Sequence, residues 1–187
     1  KALNWFSTGN RTFLMDVAPG GGKTKAACMI AKELLETGEI DCVVVVAPRR
    51  SVVRQWAEDF QTICGRTMLQ ITGNDEDLSA YGGVDFAITW SALSGASPAI
   101  YQICKSKNVV WISDEHHHAG LGAAWGDGAD NAFSKAKHTM VLTGTPIRSD
   151  GSEAVSIAYD GRGKIDHPEA GTYTLSYGAA VDLDYCR

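Results

Sequence analysis

Two short stretches of this 187-residue chain carry side chains that could do chemistry together. The first, Phe13-Leu-Met-Asp-Val-Ala-Pro-Gly-Gly-Gly-Lys-Thr24, is an apolar run, then three glycines, then a Lys-Thr pair opening an alanine-rich helical pattern. A strand, a glycine loop and a helix in that order make a phosphate-binding loop. Gly20, Gly21 and Gly22 let the backbone curl against a polyphosphate, because no Cβ blocks the approach and positive φ costs little. Their N–H groups, with the positive end of the helix dipole, face the anion. Lys23 would reach the β- and γ-phosphates, and the Thr24 hydroxyl would bind Mg2+. Val17 departs from the usual motif, which has Gly there, while the Gly-Lys-Thr end is intact. The second stretch is Val110-Trp-Ile-Ser-Asp-Glu115, an apolar strand ending in two adjacent carboxylates. Asp114 could hold Mg2+, largely through water, while Glu115 polarises the water that attacks the γ-phosphate. Metal and base must be neighbours yet act on different atoms, which two consecutive acids achieve.

The flanking pattern predicts the elements that must position these residues. Residues 1–10 read as the end of a helix. Strands are expected over Thr12–Val17, Cys42–Ala47, Thr67–Thr72, Val84–Thr89, Asn108–Ser113 and Thr139–Leu142, mostly as continuous apolar runs. Such runs without polar alternation belong to a parallel sheet covered on both faces. Helices are expected from Lys23 to about Thr37, closed by Gly38, and from a Ser51 cap to about Cys64. Val52, Val53, Trp56 and Phe60 share one apolar face of the second. Ser91–Lys105 reads as helical with a break near Ser97-Pro98, and Ala129–Lys137 as a further helix. Residues 73–83 and 120–128 read as loops, and from Arg148 the pattern dissolves into Gly, Asp and Ser. This alternation predicts an α/β fold, a three-layer α/β/α domain with right-handed crossovers and a mainly parallel central sheet.

Composition narrows the setting. With 44% apolar and 21% charged residues the chain reads as a globular domain, and no apolar run is long enough for a membrane span. Its five scattered cysteines form no C-x-x-C pair, which fits a reducing compartment, here the cytoplasm, and no disulfide frame. Cys28, Cys42 and Cys64 are expected to be buried thiols. The net charge of −5 limits non-specific affinity for nucleic acid without excluding local phosphate contacts. Consecutive residues of extended chain point alternately, so the triplet His116-His117-His118 is not expected to bind metal. Taken alone, Arg49 and Arg50 read as a solvated charge pair.

Taken together, Gly20-Gly-Gly-Lys-Thr24, Asp114-Glu-His-His117 and Leu142-Thr-Gly-Thr-Pro146 resemble the first RecA-like lobe of superfamily 2 helicases and translocases. The likeness is to the DExH branch that includes type I and type III restriction motor subunits. Val46-Ala-Pro-Arg-Arg50 with Gln55-Trp56 is similar to that family's motif Ia, and Ile88-Thr-Trp-Ser91 to its motif Ib. The resemblance implies a P-loop NTPase that uses ATP and Mg2+. Pro19, Gly20, Gly21, Gly22, Lys23, Thr24 and Lys25 would bind the nucleotide, Thr24 and Asp114 the Mg2+, and Glu115 would activate water. His117 would couple the nucleotide site to the next motif. Thr143, Gly144 and Thr145 would relay nucleotide state from a strand between the phosphate-loop strand and the Asp114 strand. Pro48, Arg49, Arg50, Ser51, Thr89 and Ser91 would contact a nucleic-acid backbone, with DNA favoured over RNA. Residues 1–150 would form the lobe, and 151–187 an extension toward a second RecA-like lobe of the same parent chain. Arginine fingers belong to that second lobe, so these residues by themselves would turn over slowly. Two other readings stay open: an AAA-type ATPase acting on protein, and a non-catalytic nucleotide-binding module.

Overall fold

The computed structural model describes residues 1–73, 84–114, 131–144, 157–162 and 164–183. A seven-stranded sheet runs through them: β1 (Thr12–Val17), β2 (Cys42–Ala47), β3 (Leu69–Ile71), β4 (Phe86–Thr89), β5 (Val109–Asp114), β6 (His138–Thr143) and β7 (Thr172–Leu175). Its order is β3-β4-β2-β5-β6-β1-β7 and every described pairing is parallel. Central strands β2, β4, β5 and β6 are buried at every residue, as their unbroken apolar runs require.

Alternation along the strands splits the core into two layers. Helices α1 (Ala2–Ser7), α2 (Lys23–Glu36) and α3 (Arg50–Cys64) pack on one face, against Met15, Val17, Val43, Val45, Val110, Ile112 and Leu142. On the other face α4 (Trp90–Ser106) and residues Ala132, Phe133 and Ala136 pack against Val44, Val46, Phe86, Ile88 and Trp111. There Trp111 and Phe133 stack at 4.1 Å between ring centroids. Beyond α4, Leu14 and Val141 are covered by Ile157, Tyr159 and Ile165. The result is the three-layer α/β/α arrangement that the sequence pattern predicts.

The parallel register sets the carboxyl edge of the sheet. Thr89 pairs with Ala47, and Val46 with Ser113, so Ala47 stands level with Asp114. Asp114 pairs with Leu142, Leu142 with Met15, and Met15 with Tyr173. One row of residues therefore crosses six strands, at the last residue of β4, β2 and β5 and one or two residues below the ends of β6, β1 and β7. Ligands of open α/β sheets bind outside this edge.

Several local expectations need correction. Ser51 does not cap α3: the cap position is Arg49, in extended conformation and without a side-chain hydrogen bond, and Ser51 lies exposed in the first turn. Pro98 does not interrupt α4, which runs through it. Proline inside a helix costs about 3 kcal/mol, but Pro98 is exposed while Leu93, Ala96, Ser97, Ile100 and Ile103 bury the opposite stripe. Strand β3 is shorter than expected, and the described helical turn near residue 131 ends by Phe133. Beyond Arg148, where the sequence shows no regular pattern, β7 joins the sheet and α5 (Tyr177–Asp182) follows, capped by Ser176 Oγ accepting from Ala179 N–H. Of the loops predicted over 73–83 and 120–128, all but Gly73 lie outside the described residues. Among the described residues no helix is long and apolar enough to cross a membrane.

A compact contact holds β7 in place. Trp5 Nε1 donates to the carbonyl of Thr12 at 2.6 Å, and His167 Nε2 lies 3.1 Å from the same oxygen. Gly171, just before β7, fits against both rings: a Cβ there would lie 2.6 Å from Trp5 Cε2 and 2.9 Å from His167 Nε2. Gly→Ala at an unstrained site normally stabilises by about 0.4–1 kcal/mol, but overpacking costs about 1–3 kcal/mol. The collision decides the sign. Gly171→Ala is expected to lower the urea midpoint by an amount equivalent to about 1–3 kcal/mol; an unchanged or raised midpoint would show that this contact is slack.

Candidate functional site

The phosphate loop is built from three glycines with three different jobs. Gly20 has φ +83° and Gly22 φ +78°, both in the left-handed region that glycine tolerates best. Gly22 is the N-cap of the 14-residue helix α2, so no side chain occupies the helix start. Gly21 has no positive φ, but a Cβ on it would lie 2.6 Å from Val17 Cγ1 and 3.0 Å from the Ala18 carbonyl. This explains the unusual valine: Val17 is a buried core residue, and the missing side chain at position 21 makes the room it takes. The loop is fixed at its base by Ala18 N–H donating to the Leu175 carbonyl of β7 and by Gly21 N–H donating to the Ala18 carbonyl, both at 2.9 Å. Pro19 and Gly20 are exposed, Lys23 and Thr24 are half-buried in the first turn of α2, and Lys25 is exposed. A glycine cap, a helix dipole and a lysine form a cradle suited to phosphate oxygens.

Two strands from β1, at about 10 Å given ordinary strand spacing, β5 delivers Asp114 to the same edge. Asp114 is 3% exposed, and its Oδ2 accepts a hydrogen bond from Trp56 Nε1 at 2.8 Å. Trp90 Nε1 donates to the Asp114 carbonyl at 3.3 Å. Strand β6 lies between β5 and β1 and ends in fully buried Thr143, the location that the helicase likeness implies for it. Gly144 follows against the phosphate loop, where a Cβ would lie 3.1 Å from Pro19 Cδ and 3.3 Å from the Val17 carbonyl. Glu115, His117 and Thr145, like the rest of the histidine triplet, lie outside the described residues.

The other half of the edge holds the residues predicted to contact a nucleic-acid backbone. Half-buried Pro48 leads to exposed Arg49, Arg50 and Ser51 at the start of α3. Thr89 is buried and its hydroxyl caps α4, accepting from Ala92 N–H at 3.3 Å and sharing a 3.1 Å hydrogen bond with Ser91 Oγ. Ser91 is the exposed hydroxyl of that pair.

Beside the loop, on the α2 face, a cleft of about 530 Å³ is lined by Met15, Gly21, Gly22, Lys25, Met29 and Tyr173 among others. Tyr173 is 43% exposed. Half-buried Asp16 alternates with Met15 and Val17 and so points to the opposite layer; burial pushes its carboxyl above the usual range. Burial also pushes the thiols of Cys28, Cys42 and Cys104 up to about 12, and that of half-buried Cys64 up to about 11. Such thiols are inert packing groups. Among the described residues no group of three or more His, Cys, Asp or Glu side chains could hold a metal by itself. Mg2+ needs no such cage, because it is usually held by one or two carboxylates together with substrate phosphates. Asp114 supplies one such carboxylate at the carboxyl end of β5.

Residues 1–148 match the family described as type III restriction enzyme, res subunit. The chain belongs to this family. It is 31% identical over 182 residues to an uncharacterised protein of Mycobacterium leprae, covering 95% of this chain and 30% of that one. A Mycobacterium tuberculosis protein is 32% identical over 174 residues, covering 88% of this chain and 28% of the relative. The chain thus spans less than a third of the length of these relatives. Its fold is similar to the type ISP restriction-modification enzyme LlaGI, solved as a nuclease-deletion mutant with a DNA substrate mimic, at a TM-score of 0.66 and 17% identity over 96% of this chain and 19% of LlaGI. A Sulfolobus solfataricus SWI2/SNF2 ATPase core in complex with double-stranded DNA matches at 0.60 and 17% identity, over 78% of this chain and 31% of that one. The helicase domain of Pyrococcus furiosus Hef matches at 0.56 and 20% identity, over 79% of this chain and 33% of that one. The fold of this res-subunit family member is that of a RecA-like helicase lobe.

Three features of the site escape sequence reading. These are the Trp56 and Trp90 hydrogen bonds to Asp114, the β7 anchor under the phosphate loop, and the Gly144–Pro19 approach. The Gln55-Trp56 pair signals a buried aromatic on α3 but not its partner. The loop geometry makes one direct demand. Gly21→Ala should weaken nucleoside triphosphate binding by about 5- to 140-fold, the equivalent of about 1–3 kcal/mol of overpacking. Val17→Ala added to it should recover part of the loss in a calorimetric titration. Full affinity in Gly21→Ala would mean that the loop does not need this close approach.

Proposed function

We propose that this chain is the ATP-binding motor lobe of a nucleic-acid-dependent ATPase, a helicase or translocase that hydrolyses ATP to move along or unwind DNA. The observation that carries this reading is the single row at the carboxyl edge. It aligns Thr89 and Ala47, beside the exposed arginines, with Asp114, Leu142 and Met15, beside the phosphate loop. A nucleotide half and a backbone-binding half thus share one rigid sheet edge. The res-subunit family and the helicase-like fold support the same reading, and two of the similar structures hold DNA or a DNA mimic, which favours DNA over RNA.

In this mechanism the loop N–H groups of Gly20 and of Gly22 to Thr24, with the Lys23 ammonium, hold the phosphates in line for transfer, while the Gly21 N–H stays on the Ala18 carbonyl. Mg2+, when bound, would supply positive charge to the phosphates. Thr24 and Asp114 would hold it, Asp114 largely through water. Glu115 orients the attacking water and accepts its proton, and His117 and Thr145 pass the change onward together with Thr143 and Gly144. The cleft lined by Met15, Met29 and Tyr173 takes the nucleoside by stacking and apolar contact. Arg49, Arg50, Ser51 and Ser91 meet phosphates of the polymer without reading its sequence. A second RecA-like lobe in the natural full-length polypeptide supplies the arginine fingers that raise turnover, by about 10³–10⁵ in related chemistry.

The test is ATP hydrolysis by the natural full-length polypeptide with single-stranded DNA, duplex DNA and RNA. Strong stimulation by DNA is expected, abolished in Glu115→Gln. Arg49→Ala should weaken DNA binding equally across sequences and lower the salt slope by about one. Turnover indifferent to every polymer would overturn the motor reading in favour of an ATPase acting on protein. No turnover in any condition, with nucleotide still bound, would leave a non-catalytic module.

A further inference from the structure

Each of the two helices that start at the backbone-binding half of the edge carries a buried tryptophan whose indole N–H ends on Asp114. Trp56 lies about two turns into α3, below the exposed Arg49, Arg50 and Ser51, is fully buried, and donates to Asp114 Oδ2 at 2.8 Å. Trp90 is the first residue of α4, directly after Thr89, and donates to the Asp114 carbonyl at 3.3 Å. An indole N–H is a donor only, so buried Trp56 requires an acceptor, and Asp114 Oδ2 is the one it finds. A hydrogen bond to a charged oxygen is about twice as strong as a neutral one and stiffens in a water-poor interior. The Asp114 carboxylate is thereby tied to α3 from the α2 face, while α4 holds its backbone.

Resting on the function proposed above, we propose that Trp56 is a positioning residue. It fixes the Asp114 carboxylate for the metal, and through α3 it makes metal affinity depend on nucleic acid seated at Arg49 to Ser51. Trp90 holds the strand end on which that carboxylate is mounted. Partners that orient a metal-binding group typically contribute about 10–100-fold in metal affinity or activity.

The test replaces Trp56 in the natural full-length polypeptide with 3-benzothienylalanine, which keeps the bicyclic shape but has sulfur in place of N–H. Trp56→Phe is the simpler companion. Nucleotide affinity is measured by calorimetry in EDTA, the affinity of the nucleotide complex for Mn2+ by electron paramagnetic resonance, and Mn2+ binding again with duplex DNA. Metal affinity about tenfold weaker, unchanged metal-free nucleotide affinity and a smaller DNA effect are expected. Unchanged Mn2+ affinity in the isostere would overturn the proposal. Equal losses with and without metal would also overturn it, showing Trp56 to be a packing residue only. Weakened Mn2+ binding with the full DNA effect retained would overturn the link through α3. A wild-type protein in which DNA changes neither turnover nor metal binding would defeat the motor reading, while the DNA-free Mn2+ comparison still decides the role of Trp56.

Discussion

The parallel register of buried strands governs this molecule. Because β4, β2, β5, β6 and β1 are hydrogen-bonded in one level arrangement, their carboxyl ends form a single edge. None of the chemistry-bearing residues is placed by its own local structure alone. Asp114 reaches the edge because β5 is clamped between β2 and β6, both buried throughout. The phosphate loop starts where it does because β1 is pinned between β6 and β7, and the Leu175 carbonyl of β7 also accepts the Ala18 N–H. A shift of one residue in any of these pairings would turn a strand's side chains to the opposite face.

The same rigidity explains how a loop with valine at its first motif position keeps its shape. Val17 belongs to the core of the α2 face, and its methyl group occupies the space that a side chain at position 21 would need. Close packing leaves no slack for both. The loop is therefore an extension of the core, and Gly144 at the end of β6 touches it from the other side at Pro19.

Much of this was legible in the residues, and the physical reasons for the exceptions are specific. Thr12–Val17 and Cys42–Ala47 are found at their predicted bounds because mostly apolar runs closed by the nearby Pro19 and Pro48 leave little alternative. Strand β7 was hidden because Thr172-Tyr-Thr-Leu175 is a short edge strand whose residues are mostly exposed or half-buried. Periodicity needs a buried face to register. Pro98 reads as a break because local sequence cannot show that its ring faces solvent while the opposite stripe is buried. Trp56 is visible as an apolar helix position, yet its bond to Asp114 spans 58 residues and exists only once α3 is laid on the sheet. The loop and the acid could be read from residue types; the links between them required the fold.

On the proposed reading one sheet edge holds both a nucleotide half and a polymer half, and the two bindings should then be thermodynamically linked. The most direct measurement is the affinity of the natural full-length polypeptide for a non-hydrolysable ATP analogue, with and without saturating duplex DNA, paired with DNA affinity with and without the analogue. The account predicts that each ligand changes the affinity of the other by the same factor, about 5–150-fold. Nucleotide affinity that DNA leaves untouched, with both ligands bound, would contradict it.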